Sequence, residues 1–246
     1  MIQTERVTSG VAALDPFLEG GFPKGRSVLI TGEPGTGKTI FALQFLHSGL
    51  QQGEKGIFVG ADENPLDLLE QAASLGWDFE SPLQNRQLAI LSPGAFFCSP
   101  TGAESAIDTE KIVDQLAAFA TQFGAQRLVL DPATPLFLPR DCVKHAPAQP
   151  RSLIQQLRAS LATTNLLTSY AAPRSGEHCA HGIEEYWVAG AIVLEMVWHN
   201  GEFTRTLVVE KMRATDIKPH QLEFEIVKGE GIVLSTGANL TARVNS

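Results

Sequence analysis

The sequence predicts an α/β fold: a mostly parallel central sheet with helices on both faces and an antiparallel C-terminal extension. Three observations predict it. Apolar runs of strand length alternate with helical segments between residues 26 and 170, the pattern of parallel strands joined by crossover helices. The run Gly32-Glu33-Pro34-Gly35-Thr36-Gly37-Lys38-Thr39 fits G-x-x-x-x-G-K-[ST], the phosphate-loop pattern, and lies between a strand and a helix. Beyond residue 190 the chain changes to strands with short connections. That change suits an extension of the same sheet, so residues 1–246 are expected to form a single domain.

Residues 7–25 place Gly10, Gly20, Gly21, Pro23 and Gly25 around a short apolar segment, Val11 to Leu18, read as a helix leading into the first core strand. Arg26 to Thr31 is that strand. Ile40 to Leu50 is the helix beyond the loop, with Ala42, Phe45, Leu46 and Leu50 on an apolar stripe. Gly56 to Gly60 is a second buried strand. Leu66 to Leu75 is a helix, with Asn64 as its N-cap and Pro65 in its first turn. Gln87 to Leu91 is a third strand, Thr109 to Phe123 a helix ended by Gly124, and Arg127 to Asp131 a strand closing on a carboxylate. Pro132 to Pro150 is the longest expected loop. Arg151 to Ala162 is helical and Leu166 to Tyr170 a strand. Ala191 to Val197, Thr204 to Met212 and Leu222 to Val227 are the strands of the extension.

Composition limits the function. Apolar residues make up 43% and charged residues 19%, ordinary for a soluble globular protein. The net charge of −8 argues against nucleic acid held over the whole surface, which needs clustered Lys and Arg. Cys98, Cys142 and Cys179 are odd in number and make no closed disulfide framework, which suits a cytoplasmic location. The first six residues lack the apolar core of a signal peptide, and no stretch reaches a membrane span of about 20 apolar residues. His178, Cys179 and His181 lack a fourth ligand at metal-site spacing and read as a polar loop. Trp77, Trp187 and Trp198 read as core or interface packing.

The candidate site is assembled from strand ends. Glycines let main-chain N–H groups of the loop point inward on a phosphate, and the following helix adds its positive end. Lys38 is expected near the β- and γ-phosphates and Thr39 on Mg²⁺. Asp131, at a strand end, is expected to orient water on that Mg²⁺ or to hold the Thr39 hydroxyl. Asp62 and Glu63 follow the second strand. With that strand beside the phosphate-loop strand, their carboxylates would face the γ-phosphate and orient the attacking water. Lys211 and Arg213 lie two apart on a predicted strand, on the face of Leu207 and Val209; taken alone, such strand-end cations usually meet solvent, although two of them could also reach an anionic ligand across a subunit boundary.

Over roughly residues 7 to 235 the sequence resembles the KaiC branch of the RecA-like ATPases. The resemblance is carried by Val7-Thr8-Ser9-Gly10 through Leu14-Asp15 to Gly20-Gly21-Phe22-Pro23-Lys24-Gly25, and by the phosphate loop with Phe41 to Leu46 behind it. Phe58-Val59 with Asp62-Glu63-Asn64-Pro65, Leu75-Gly76-Trp77-Asp78, Gly182-Ile183-Glu184-Glu185-Tyr186 and Lys211-Met212-Arg213-Ala214-Thr215 complete it. It implies a RecA-like core, ATP and Mg²⁺ as ligands, and a six-membered ring with ATP between subunits. Glu63, Asp62 and Lys38 would be catalytic. Gly32, Glu33, Pro34, Gly35, Thr36, Gly37, Lys38 and Thr39 would hold the phosphates, with Ser74 near the base. Lys211, Met212 and Arg213 would approach from the neighbouring subunit. The chain departs from the pattern at Asp62, where the family has Glu, at Ala214, where Gly is usual, and at Ile217, often His. The Ser-Thr pair that carries autophosphorylation is missing, so hydrolysis without autokinase activity is expected. A DNA-handling ATPase and a nucleotide-gated scaffold are the alternative functions.

Overall fold

The computed structural model describes residues 4–60, 64–92, 109–133, 148–170, 187–199, 201–218 and 220–235. Two short strands, β1 (Arg6–Val7) and β2 (Phe22–Pro23), pair antiparallel at the start. The core then runs β3 (Ser27–Gly32), α1 (Lys38–Gln51), β4 (Gly56–Gly60), α2 (Pro65–Ser74), α3 (Glu80–Gln84) and β5 (Leu88–Leu91). It continues with α4 (Thr109–Phe123), β6 (Arg127–Asp131), α5 (Ala148–Ser160) and β7 (Thr164–Tyr170). The last strands are β8 (Gly190–His199), β9 (Glu202–Met212), β10 (Gln221–Val227) and β11 (Gly231–Leu234).

Strands β3 to β11 form one sheet in the order β11-β10-β9-β8-β3-β7-β6-β4-β5. The pairs from β8 across to β5 are parallel, and those from β8 out to β11 are antiparallel. The predicted fold class therefore holds, including its antiparallel extension. Alternation along each central strand explains the two-sided core. Val28, Ile30, Phe58, Val129 and Leu166 pack on one face with Phe41, Phe45 and Leu46 of α1. Leu29, Ile57, Leu128, Leu130 and Leu167 pack on the other, with Leu116 of α4 and Leu157 of α5.

Helix α1 is buried over more than the predicted stripe: Phe41, Leu43 and Gln44 are covered too. The leading segment lies over its outer side and β11 along its flank. Gln44 joins them, donating to the Gly10 carbonyl at 2.8 Å and accepting from the Ile232 amide at 2.6 Å.

Two expectations are corrected. Val11 to Leu18 is a turn followed by a single 3-10 turn, Asp15–Leu18, and not a helix spanning the segment. The Asp15 carboxylate accepts from the Ser9 amide at 2.9 Å, drawing the chain back on itself where a helix would carry it forward. The second correction concerns β9. Its pairing with β8 shifts at Ala191/Ile192, a β-bulge that inserts one residue. The core face runs Leu207, Val209, Met212, so Lys211 is not on the face of Leu207 and Val209. Arg213 lies beyond the strand's end.

Candidate functional site

Strand β3 ends at Gly32, and the chain turns through the loop into α1, whose N-cap is Gly37. Gly37 adopts φ 106°, a left-handed conformation that L-residues rarely hold, and a Cβ there would sit 3.3 Å from Ile226 Cδ1. Thr36 is buried and its hydroxyl donates to the Glu33 carbonyl at 2.9 Å, so the loop holds its own shape. Lys38 donates to the carbonyls of Gly32 at 2.8 Å and Glu33 at 2.9 Å, and its ammonium lies 5.3 Å from the centre of the Tyr170 ring. Burial lowers the Lys38 pKa below the usual lysine value, while the charges of Asp131 and Glu33 oppose that shift.

The loop, Lys38 and Thr39 line one side of a cleft of about 340 Å³. Asp131, Pro132, Tyr170, Arg205, Gln71 and Ile226 line the rest. The cleft lies at the carboxyl ends of β3, β6 and β7, where parallel sheets bind ligands. Tyr170 is there because β7 pairs with β3, with Tyr170 opposite Gly32. Asp131 is 7% exposed, and its carboxylate accepts a short hydrogen bond from the Thr168 hydroxyl. Arg205 on β9 reaches back to the Gly35 carbonyl at 3.4 Å.

The structure gathers Lys38, Thr39 and Asp131 as the sequence predicts. Ser74 is not among the residues lining the cleft but is bonded to one that is: its hydroxyl donates to the Gln71 carbonyl at 2.7 Å. Asp62 and Glu63 lie outside the described residues, as do His178, Cys179, His181 and residues 182–186. The premise that β4 neighbours β3 is overturned, because β7 and β6 intervene. Three strand spacings separate β4 from β3, about 14 Å. Lys211, Met212 and Arg213 lie at the opposite end of the sheet. Met212 pairs with Gly190, which pairs with Val28 near the start of β3, and Met212 is buried in the core. Sequence reading missed Tyr170, Gln71, Ile226 and Arg205. Tyr170 alone carried a signal, as the end residue of a predicted core strand.

A metal at this site has few protein donors. Among the described residues no group of three or more His, Cys, Asp or Glu side chains is placed to hold an ion. Of the described residues lining the cleft, Thr39 offers an aliphatic hydroxyl and Asp131 a carboxylate. That set fits Mg²⁺, which keeps several waters and takes its other ligands from substrate phosphates.

The family model described as "ATPase: KaiC" matches residues 7–238. The chain belongs to the KaiC family of ATPases. It is similar to a circadian clock oscillator protein KaiC of Prochlorococcus marinus, with 30% identity over 98% of this chain and 48% of that protein. It thus spans about half the length of the KaiC proteins it matches. A UPF0273 protein of Pyrococcus horikoshii is 33% identical over 94% of both chains. The crystal structure of a KaiC-like protein from Pyrococcus horikoshii OT3 superposes with a TM-score of 0.78 at 32% identity, covering 95% of this chain and all of that one. The KaiC-like fold is therefore a RecA-like α/β core, as the sequence resemblance implies. No helix among the described residues is long and apolar enough to cross a membrane.

Proposed function

We propose that this chain is a Mg²⁺-dependent ATPase that works as a homo-oligomeric ring, with six subunits expected, in a regulatory or signalling role. The observation that carries this reading is the cleft at the end of β3, lined by the phosphate loop, Lys38 and Asp131, with the charges of Lys38 and Asp131 interacting. A triphosphate laid along the loop would meet main-chain N–H groups and the positive end of α1. Lys38 would exchange its two loop carbonyls for phosphate oxygens. Thr39 and Asp131 would hold Mg²⁺, which on binding neutralises charge developing on the γ-phosphoryl group. On the family resemblance, and not on strand adjacency, Glu63 with Asp62 would orient water for in-line attack. Lys211 and Arg213 lie about 13 Å along the sheet from the loop of their own chain, a separation of four strand residues. They would serve a nucleotide held by the next copy.

Asp62 is one methylene shorter than the family's Glu, which withdraws its carboxylate by roughly 1–1.5 Å and favours slow hydrolysis. It also supports a second reading, a nucleotide-gated scaffold with negligible turnover. Phosphate release by the wild type, Glu63→Gln and Lys38→Ala separates the two. The ATPase reading predicts release by the wild type well above both variants; equal release by all three favours the scaffold. Salt-sensitive binding of single-stranded DNA would support DNA handling instead, against the net charge of −8.

A further inference from the structure

The β8–β9 ribbon is the longest pair in the sheet, and both of its ends are unlike ordinary surface. At the tip, Trp198 and Phe203 stand opposite each other with ring centroids 4.7 Å apart in a T-shaped contact. They are 61% and 64% exposed, and Met196 beside them is 41% exposed. Alternation puts Met196, Trp198, Phe203 and Arg205 on one face of the ribbon. Arg205 reaches the Gly35 carbonyl, so this apolar strip runs outward directly from the phosphate cleft. Three large apolar side chains in one strip next to a binding site mark a surface that something covers.

At the foot of the same ribbon is a second cavity, of about 240 Å³, lined by Pro23, Arg26, Ile154, Arg158, Ala189 and Arg213 among others. It combines apolar walls with three guanidinium groups. Cavities of about 150 Å³ hold a benzene ring, so this one has room for an aromatic side chain. Arginines at its rim favour the faces of aromatic rings. The tip also carries an exposed acid, Glu202, complementary to those arginines.

Tip and foot are separated by the ten residues of β8, about 30 Å, so one chain cannot join its own two ends. A surface feature that fits a different surface of the same molecule makes a head-to-tail contact, the kind that generates closed rings. We propose that the Trp198–Phe203 tip of one copy docks on the arginine-lined cavity at the ribbon foot of the next copy, with one of its two rings entering the cavity. The contact rests on the ring proposed above and names what holds its subunits together. Because the tip lies two residues beyond Arg205, docking it brings the next copy's Arg213, on the cavity wall, to the mouth of the phosphate cleft.

Sedimentation of the full chain with saturating ATP and Mg²⁺ tests this, with wild type beside Trp198→Ala/Phe203→Ala and Arg26→Glu/Arg158→Glu. Thermal melts and nucleotide binding by each variant confirm that it folds. Either double variant is expected to raise the concentration needed for assembly by about thirtyfold, the effect of losing a hot-spot anchor. A chain with Phe203→Cys and Pro23→Cys, its three native cysteines replaced by serine, should cross-link on oxidation into a ladder of covalent oligomers. A wild type that assembles while both double variants assemble equally well, or while the cysteine pair gives no ladder, overturns the contact and leaves the ring standing. A wild type that stays monomeric at every concentration overturns the ring and the contact together.

Discussion

Strand β6 carries one charge near each end, and the two ends treat it oppositely. At the start, Arg127 is 1% exposed and all its reach is used. It pairs with Glu54, donates to the Thr8 carbonyl at 3.0 Å and to the Phe45 carbonyl at 2.7 Å, and lies 4.6 Å from the centre of the Phe45 ring. Gly49 makes the space: a Cβ there would come within 2.4 Å of the Arg127 Nε. At the other end, Asp131 is held by Thr168 and lines the cleft beside Lys38. The closed end clamps the leading segment, α1 and β6 to one another. The open end presents a carboxylate to the cleft. Both charges cost solvation; Arg127 is offset by Glu54 and two carbonyls, and Asp131 by the Thr168 hydroxyl and the charge of Lys38.

Removing the closed-end charge should have the largest effect. Arg127→Ala leaves Glu54 and two carbonyls without their donor and is expected to cost about 3–5 kcal/mol of stability. A thermal melt should fall by about 10 °C, with nucleotide affinity of the folded fraction unchanged. Equal melting temperatures would mean that the clamp contributes nothing. At the open end, Asp131→Asn keeps an acceptor for Thr168 and should melt near the wild type. It should lose Mg²⁺-dependent nucleotide affinity by about 10–100-fold, read by titration with and without the metal. A large drop in melting temperature without a change in affinity would reverse the contrast between the two ends.

The smallest effect is in pH. Burial lowers the Lys38 pKa from the ordinary 10.5, so the folded protein sheds that proton before the unfolded chain does. Without nucleotide, stability should therefore rise as pH climbs from the lowered value toward 10.5, and Lys38→Met should remove that rise. Nucleotide affinity should move the other way, weakening over the same window as the ammonium is lost. Denaturant midpoints and affinities measured from pH 8 to pH 11 check both signs.

The open end was legible in the sequence and the closed end was not. A phosphate loop is defined by neighbours in the chain, so Lys38 and Thr39 could be placed from spacing alone, and Asp131 from ending an apolar run. Asn64 is similar: its side chain caps α2 by accepting from the Leu66 amide at 3.1 Å, a contact two residues long. Arg127 reads in the sequence only as the basic first residue of a strand, because its partners lie 73 to 119 residues away. The bulge that turns Lys211 off the core face is likewise a property of strand pairing, and no residue type marks it. Strand β11 and helix α3, of four and five residues, are too short to show a period. Strand order is also set by long-range pairing, so the sequence offers adjacency of β4 and β3 only as a condition, and β7 and β6 lie between them.

Titration calorimetry of ATP with Mg²⁺ into the wild type and Lys38→Ala tests whether the loop and Lys38 grip a triphosphate. The wild type should give a saturable heat of one nucleotide per chain, and the variant should lose affinity by at least about tenfold, as expected for removing charged hydrogen bonds. No binding heat from folded wild type, or equal affinity in both proteins, would contradict that grip.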